Sequence, residues 1–405
     1  MANVPEIRFK GFVDDWEQCK LGEIAEIKDS ARIPNNEWQS HGVPYLRSSD
    51  ISSKKINGEL FISLEKYDFY KNRTGAPKKG DLLFNSGGDI GLAIYKNDET
   101  DVYVQGGSVL YVKTSESKNI NGLFLQYHFS TSSTKTYITN NSTGSTIKHF
   151  VLKPAGQIPI DFPCINEQTC IGTFFRTLDN IIAIYKRKLD GLRELKKAYL
   201  QQMFPQAGEV VPRVRFKGFT APWHIKKVSE LVTLTVREIP KPTESYKRIS
   251  VRSHAKGTFH QIVEDPSKIA MDNVYVVHEN DLIVNITFAW EHAIAVASKQ
   301  DHGLLVSHRF PTYEINKSDI NFLRFLITQE GFRRKLELIS PGGAGRNRVL
   351  NKNDFADLEL IVPCANEQTI IGMFFNMLDK NITAQSNKVE LLKQLKLAYL
   401  QKMFV

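Results

Sequence analysis

Apolar positions along this chain follow two alternating patterns, and the alternation occurs twice. From Asn166 to Phe204 there is no proline, and Ile171, Phe174, Leu178, Ile181, Tyr185, Leu192, Leu195 and Tyr199 recur at steps of three and four, with Lys188 interrupting. That spacing predicts one long helix with a narrow apolar seam of the coiled-coil kind. A second such helix is predicted near the carboxy terminus, where Ile371, Phe374, Leu378, Leu392, Leu395 and Tyr399 keep the same phase around a polar middle of Asn381, Gln385 and Lys388. Polar residues at seam positions either fix register and partner at some cost in stability or mark a stretch that faces solvent. Upstream of each helix the pattern changes to short apolar runs punctuated by glycine and polar residues: VPYLRSSDI, KKGDLLFNSGGDIGLAIY and VYVQGGSVLYVK, then YKRISVRS, ENDLIVNITFAW and AIAVAS. Several strands and a few short helices in such a length predict compact α+β domains.

Comparison of the chain with itself explains the double occurrence. The opening PEIRFKGFVDDWEQCKLGEI (Pro5 to Ile24) returns as PRVRFKGFTAPWHIKKVSEL (Pro212 to Leu231). PCINEQTCIGTFFRTLD (Pro163 to Asp179) returns as PCANEQTIIGMFFNMLD (Pro363 to Asp379), running on to LKKAYLQQMF and LKLAYLQKMF. A constant register over such stretches means one unit used twice. The intervening segments, 28–161 and 235–361, do not align by eye, so a repeated frame carries two divergent inserts. The expected organisation is a domain over 1–163, a long helix over 164–204, a linker over 205–211, a second domain over 212–363 and a second helix over 364–405. Each helix follows a strand that ends in proline. Asn166 and Asn366 are the expected N-caps, with Glu167 and Glu367 close to the positive helix end. Phe9, Phe12, Phe216 and Phe219 of the doubled RFKGF are expected to bury against the helix ends.

Composition adds the class of partner. The 405 residues exceed the usual single core, and no apolar run approaches the roughly 18 to 20 residues of a membrane span, so a soluble protein of at least two domains is expected. No secretion-signal pattern opens the chain, so a cytoplasmic location is expected. The four cysteines, Cys19, Cys164, Cys170 and Cys364, form no CxxC pair and read as reduced thiols. A net charge of +9 and a pI near 9.1 suit a polyanion, because cationic side chains displace counterions condensed on phosphate.

The doubled PxxNEQxxIGxFFxxLD helix start, the doubled LKxAYLQxMF helix end, the doubled RFKGF opening and phrases such as KGDLLFNSGGDIG together resemble the specificity subunits of type I restriction-modification systems, over essentially the whole length. The resemblance implies a fold of two globular target-recognition domains in pseudo-twofold tandem repeat, separated by two long antiparallel coiled-coil helices. It implies a non-catalytic subunit whose domains each read one half of an asymmetric bipartite target in double-stranded DNA. It further implies two modification subunits that methylate adenine with S-adenosylmethionine, and restriction subunits that use ATP and Mg; no cofactor is expected on this chain itself. A helix of about 35 residues at 1.5 Å per residue spans about 52 Å, or roughly 15 base pairs, a suitable ruler between two domains. A helical scaffold whose inserts recognise protein or RNA is the competing reading.

Motifs for catalysis on this chain are missing. The run Gly75 to Gly80 is followed by Asp81 rather than the lysine of a phosphate-cradling loop, and PGGAGRNR from Pro341 lacks GxGxxG spacing. There is no Asn-Pro-Pro-Tyr or Asp-Pro-Pro-Tyr of an adenine methyltransferase. His254, His260, His278, His292, His302 and His308 all lie in the second insert, without HExxH or another compact ligand spacing, so no metal site is expected. Base reading needs side chains with paired donors and acceptors on loops that can enter a groove. In the first insert the candidates are Arg47 and Ser48, Gln105 and Ser108, and Thr143, Ser145 and Lys148. In the second they are Arg252 and His254, and Arg346, Asn347 and Arg348 on a glycine-rich backbone, which form the strongest cluster. The basic run Lys186, Arg187, Lys188, Arg193, Lys196 and Lys197 reads as a solvated helix face. Ile171, Phe174, Leu178, Leu192 and Leu195, with Ile371, Phe374, Leu378, Leu392 and Leu395, are the expected helix-pairing residues.

Overall fold

The computed structural model describes residues 4–53, 56–144, 148–206, 208–340 and 349–405. Two helices of 38 residues, Ile165–Gln202 and Ala365–Lys402, dominate it. Each follows a strand that ends at Phe162 or Val362, with a proline and a cysteine between strand and helix. The carbonyls of Cys164 and Cys364 accept from Gln168 and Gln368 N–H at 3.1 and 3.0 Å, so the cysteines cap the helices. The expectation of Asn166 and Asn366 as caps is thereby corrected. The caps fall two residues earlier because Gln168 and Gln368 turn their side-chain amides back to the Pro163 and Pro363 carbonyls, at 2.8 and 2.9 Å, closing the first turn.

The chain folds into two compact units that do not follow chain order: one holds Met1–Lys186 with Asn387–Val405, the other Arg187–Ser386. Each unit thus contains one insert, the first half of the helix that follows it, and the far end of the other helix. In the first unit Ile7 N–H donates to the Lys402 carbonyl at 2.9 Å, and in the second Val214 donates to Gln202 at the same distance.

Both units share a frame. The strand after RFKGF pairs antiparallel with the strand before the long helix, Glu17–Lys20 with Pro159–Phe162 and His224–Lys227 with Glu359–Val362. An antiparallel four-stranded sheet follows, in the order Ile27–Asp29, Val109–Val112, Leu82–Asn85, Ala93–Tyr95 in the first unit, and Thr233–Thr235, Thr312–Glu314, Leu282–Val284, Ile294–Val296 in the second. The inserts that do not align by eye are therefore the same sheet. What relates them is strand order and the match of GDLLFN to NDLIVN, with Asp81 and Asp281 each accepting a backbone N–H at 2.8 Å from three residues earlier. The units differ in a further sheet, three-stranded in the first and five-stranded in the second.

The helix seam is a heptad, but half of its positions differ from the expected set. Ile171, Phe175, Leu178, Ile182, Tyr185, Leu189, Leu192, Lys196, Tyr199 and Met203 are buried or half-buried, and so are Ile371, Phe375, Leu378, Ile382, Gln385, Val389, Leu392, Lys396, Tyr399 and Met403. Leu195 and Leu395, expected to pair, are 43% and 42% exposed, and Ile181 is also exposed. Apolar residues at both 174 and 175, and at both 181 and 182, leave two phases open to a pattern count. The phase that forms places Leu189 and Val389 in the seam instead of Lys188 and Lys388, and its polar members are the buried Gln385 and the half-buried Lys196 and Lys396. Within the first unit the helices run antiparallel: Phe174 meets Tyr399 edge-on at 5.1 Å, Asp179 accepts from Lys396 Nζ at 2.5 Å, and Lys388 lies over Tyr185. The second unit repeats this with Phe374 and Tyr199 at 5.2 Å and Asp379 and Lys196 at 2.6 Å. Phe174 and Phe374 sit beside the seam, covered by Phe9 and Phe216 edge-on at 5.9 and 5.6 Å. Phe12 and Phe219 are half-buried.

Aromatic cores anchor the ends. Phe404 stacks on Phe124 and contacts Trp16, Phe175 and His128 in the first unit; Phe204 contacts Phe322, Trp223 and Phe375 in the second. His128 is 3% exposed, with Thr134 Oγ1 at 2.9 Å from Nδ1, and burial lowers its pKa from 6.5 to about 4. A depressed histidine contributes stability that is full above pH 6.5 and is lost as pH falls towards 4, because the unfolded chain then binds the proton more readily. The loss should reach on the order of 3 kcal/mol. Urea unfolding of the first unit, followed from pH 7 to 4, should show that slope for the native chain and a flatter one for His128→Asn; equal slopes would remove His128 as the cause.

Candidate nucleic-acid interface

In each unit the four-stranded sheet delivers a central strand that runs into a buried asparagine, Asn85 at its last position or Asn285 immediately beyond it, followed by an irregular loop. Other loops gather around it. In the first unit Asn85 Nδ2 donates to the Ser48 carbonyl and to Ser52 Oγ, both at 3.1 Å. Ser86 N–H donates to the Ser108 carbonyl at 2.9 Å, Phe150 N–H donates to the Ser86 carbonyl at 2.8 Å, and Gly87 bridges to His149. Two segments expected to read bases, around residues 47 and 107, therefore meet on one loop, Asn85–Gly91, together with His149 and Phe150, which directly follow the third at Lys148.

Within that cluster the side chains fare unequally. Arg47 precedes the short helix Ser48–Ser52, with Nε 3.3 Å from Asp50 and a guanidinium nitrogen 3.8 Å from Glu59, and stays part-exposed. Ser48 and Ser108 are half-buried, whereas Thr143 and Lys148 are exposed, and Thr143 and His149 exchange reciprocal backbone bonds of 2.9 and 2.7 Å. Gln105, expected on an open loop, is only 8% exposed and serves as a frame residue, its carbonyl accepting from Ser108 and Val109 N–H. The reason is its neighbour: a Cβ on Gly106 would lie 1.8 Å from the Ser30 carbonyl oxygen, so this turn packs directly on backbone. Ser145 lies outside the described residues.

The second unit assembles corresponding parts. Arg252 and Ser253 follow their strand as Arg47 and Ser48 follow theirs. Ser253 Oγ donates to Glu291 at 2.6 Å, His254 and Ala255 N–H donate to the Glu291 and His292 carbonyls, and both residues adopt positive φ. Ile286 N–H donates to Arg309, and the Ile286 carbonyl accepts from Leu350 at 2.8 Å. Arg252 and His254 are exposed at the hairpin tip, and the Arg252 guanidinium lies 4.9 Å from the Phe259 ring centroid. Arg346, Asn347 and Arg348 lie outside the described residues; Leu350, two positions beyond them, is hydrogen-bonded to the central loop. The histidines have structural partners: His292 Nε2 donates to the buried Ile327 carbonyl at 2.6 Å, His260 pairs with Asp301 at 2.8 Å, and His278 and His302 rings lie 5.1 Å apart. Among the described residues no group of three or more potential ligands could hold a metal, and no helix is long and apolar enough to cross a membrane.

Residues 13–194 match the family model for the type I restriction modification DNA specificity domain. A putative specificity subunit of the type I restriction enzyme MjaX, from Methanocaldococcus jannaschii, is 22% identical over 404 residues, covering 95% of this chain and 91% of that protein. Residues 13–194 thus resemble the type I restriction modification DNA specificity domain, and nearly the whole chain resembles a specificity subunit at low identity. A putative specificity subunit from Haemophilus influenzae, S.HindORF215P, is 27% identical over 167 residues, 40% of this chain and 41% of its own. The fold is that of the S subunit from M. genitalium, with a TM-score of 0.60 at 13% identity over 99% of both chains. A chain from a structure concerned with complex assembly and conformational transition of the type I restriction-modification system gives 0.51 at 14% identity, over 98% of this chain and 99% of that one.

Several parts of the candidate site escape sequence reading: Asn85, Ser86, Gly87 and His149 in one unit, and Asn285, Glu291 and Arg309 in the other. One signal for the asparagines was present, the DLLFN and DLIVN runs at a constant offset. None existed for His149 or Arg309, whose roles come from backbone bonds across the insert.

Proposed function

We propose that this chain is the non-catalytic, DNA-reading subunit of a type I complex, acting in the cytoplasm on an asymmetric bipartite target in double-stranded DNA. The domains over 1–163 and 212–363 each read one half-site. The long helices over 164–204 and 364–405, with the linker 205–211, set the spacing and dock two modification (methyltransferase) subunits and the restriction subunits, which bring S-adenosylmethionine, ATP and Mg. The observation that carries this reading is the convergence, in each unit, of loops from distant parts of the insert around one strand that runs into an asparagine. The frame beneath is shared, while the side chains presented differ: Arg47, Ser48, Ser108, Thr143 and Lys148 in the first unit, and Arg252 and His254 in the second, to which the sequence adds Arg346, Asn347 and Arg348 as further candidates. A constant frame with divergent loops is what two different half-sites require.

Co-expression with the neighbouring modification subunit, followed by genome-wide mapping of methylated adenine, tests it. The native chain should yield a bipartite motif, and replacing the insert from Asn35 to Asp161 by that of another family member should change one half and keep the other. A continuous motif, or a change in both halves, would count against two independent readers.

A further inference from the structure

The edge of the five-stranded sheet in the second unit is a two-stranded ribbon, Tyr246–Val251 paired antiparallel with Thr258–Val263 over six residues. The corresponding pair in the first unit, Val43–Leu46 with Phe61–Ile62, is matched over only two. Directly opposed residues share a face. One face sends Ile249 and Val251 into the core. The other carries Arg248 opposite Gln261 and Ser250 opposite Phe259, with Arg252 next in line. Arg248 Nε and Ser250 Oγ both donate to Gln261 Oε1, at 3.0 and 3.2 Å. Arg248 and Arg252 are exposed, Gln261 and Ser250 half-buried, and none of these five residues is acidic. The carboxylate near the tip, Glu291, is engaged by Ser253. Through that contact and the His254 and Ala255 backbone bonds, the ribbon is tied to the central loop of the candidate interface.

We infer that the outward face of this ribbon enters the major groove of duplex DNA, and that Arg248, Gln261 and Arg252 determine part of the second unit's half-site. The inference rests on the reading of the chain as a DNA-specificity subunit. The major groove, about 12 Å wide, admits a two-stranded ribbon. Residues at i and i+2 on a strand are about 6.8 Å apart, the rise of two base-pair steps of about 3.4 Å. Arg248, Ser250 and Arg252 are therefore in step with alternate base pairs. An arginine fork matches guanine O6 and N7, and a glutamine amide matches adenine N6 and N7. The bonds among Arg248, Ser250 and Gln261 are solvent-accessible and hold the donors in place, so exchanging them for base edges costs little.

The full-length chain and its variants, co-expressed with the modification subunit and read by methylated motif, provide the test. The insert replacement described above identifies which half belongs to the second unit. Arg248→Ala and Gln261→Ala should each lower discrimination at one or two neighbouring positions of that half about tenfold or more, with the other half unchanged. Arg248→Lys, which keeps the charge but loses the planar fork, should relax the same position, and Ile262→Thr on the opposite face should alter neither half. A native motif in which the Arg248→Lys and Gln261→Ala variants keep full discrimination overturns the ribbon while leaving the subunit reading intact. If Arg248→Ala abolishes methylation altogether, Arg248→Lys decides: relaxation supports the ribbon and an unchanged motif overturns it. Failure of the unaltered chain to direct a bipartite motif overturns the reading itself.

Discussion

Replacing Arg8 by alanine is expected to destabilise the first unit by about 3 to 5 kcal/mol. Arg8 Nε and a terminal guanidinium nitrogen each donate to one oxygen of Glu167 at 2.7 Å, and Glu167 is fully buried while Arg8 is 15% exposed. Removing the guanidinium leaves a carboxylate out of water with no cation, which is the costly way to break a buried pair; removing both charges is not. The double variant Arg8→Met with Glu167→Leu should therefore recover most of the loss. Arg215 and Glu367 repeat the arrangement in the second unit, at 2.6 and 2.7 Å, and the same result is expected there. Urea unfolding with probes in each unit would check this. A single variant no less stable than the double would show that the pair contributes nothing beyond packing.

Phe404→Ala should unfold the amino-terminal unit rather than its neighbour in sequence. Phe404 lies two residues beyond the second long helix, yet its ring stacks on Phe124 at 5.3 Å and meets Trp16, His128 and Phe175. All of these are residues of the first unit. Truncating a fully packed phenylalanine costs about 3 to 5 kcal/mol, because the cavity closes only partly. Phe204→Ala should do the converse, loosening the second unit through Trp223, Phe322 and Phe375. Hydrogen exchange read by peptide would separate the two: protection should fall over residues 1–186 for Phe404→Ala and over 187–386 for Phe204→Ala. The reverse assignment would mean that each helix end belongs to the unit before it.

Much of this protein was determined by its sequence. A repeat in constant register requires two like units. Proline-free stretches with apolar steps of three and four require long helices, because only a helix brings such positions to one side. The positive charge suited a polyanionic partner, while the role of DNA reader was implied only by the resemblance that the doubled motifs carry. Decisions that depend on distant partners were not legible. Phe174 and Phe175 are both apolar, and only packing decides that Phe175 enters the seam while Phe174 shelters under Phe9. Glu167 read as a helix-end carboxylate, since a positive helix terminus and an arginine 159 positions away are alike to a local pattern. Gln105 read as an open-loop residue until the close approach of Gly106 to Ser30 made it part of the frame. The tertiary structure alone decided which helix end completes which unit and which loops meet at Asn85 and Asn285. Those outcomes rest on long-range burial and backbone hydrogen bonds, whose energies depend on partners brought together by folding rather than on neighbours along the chain.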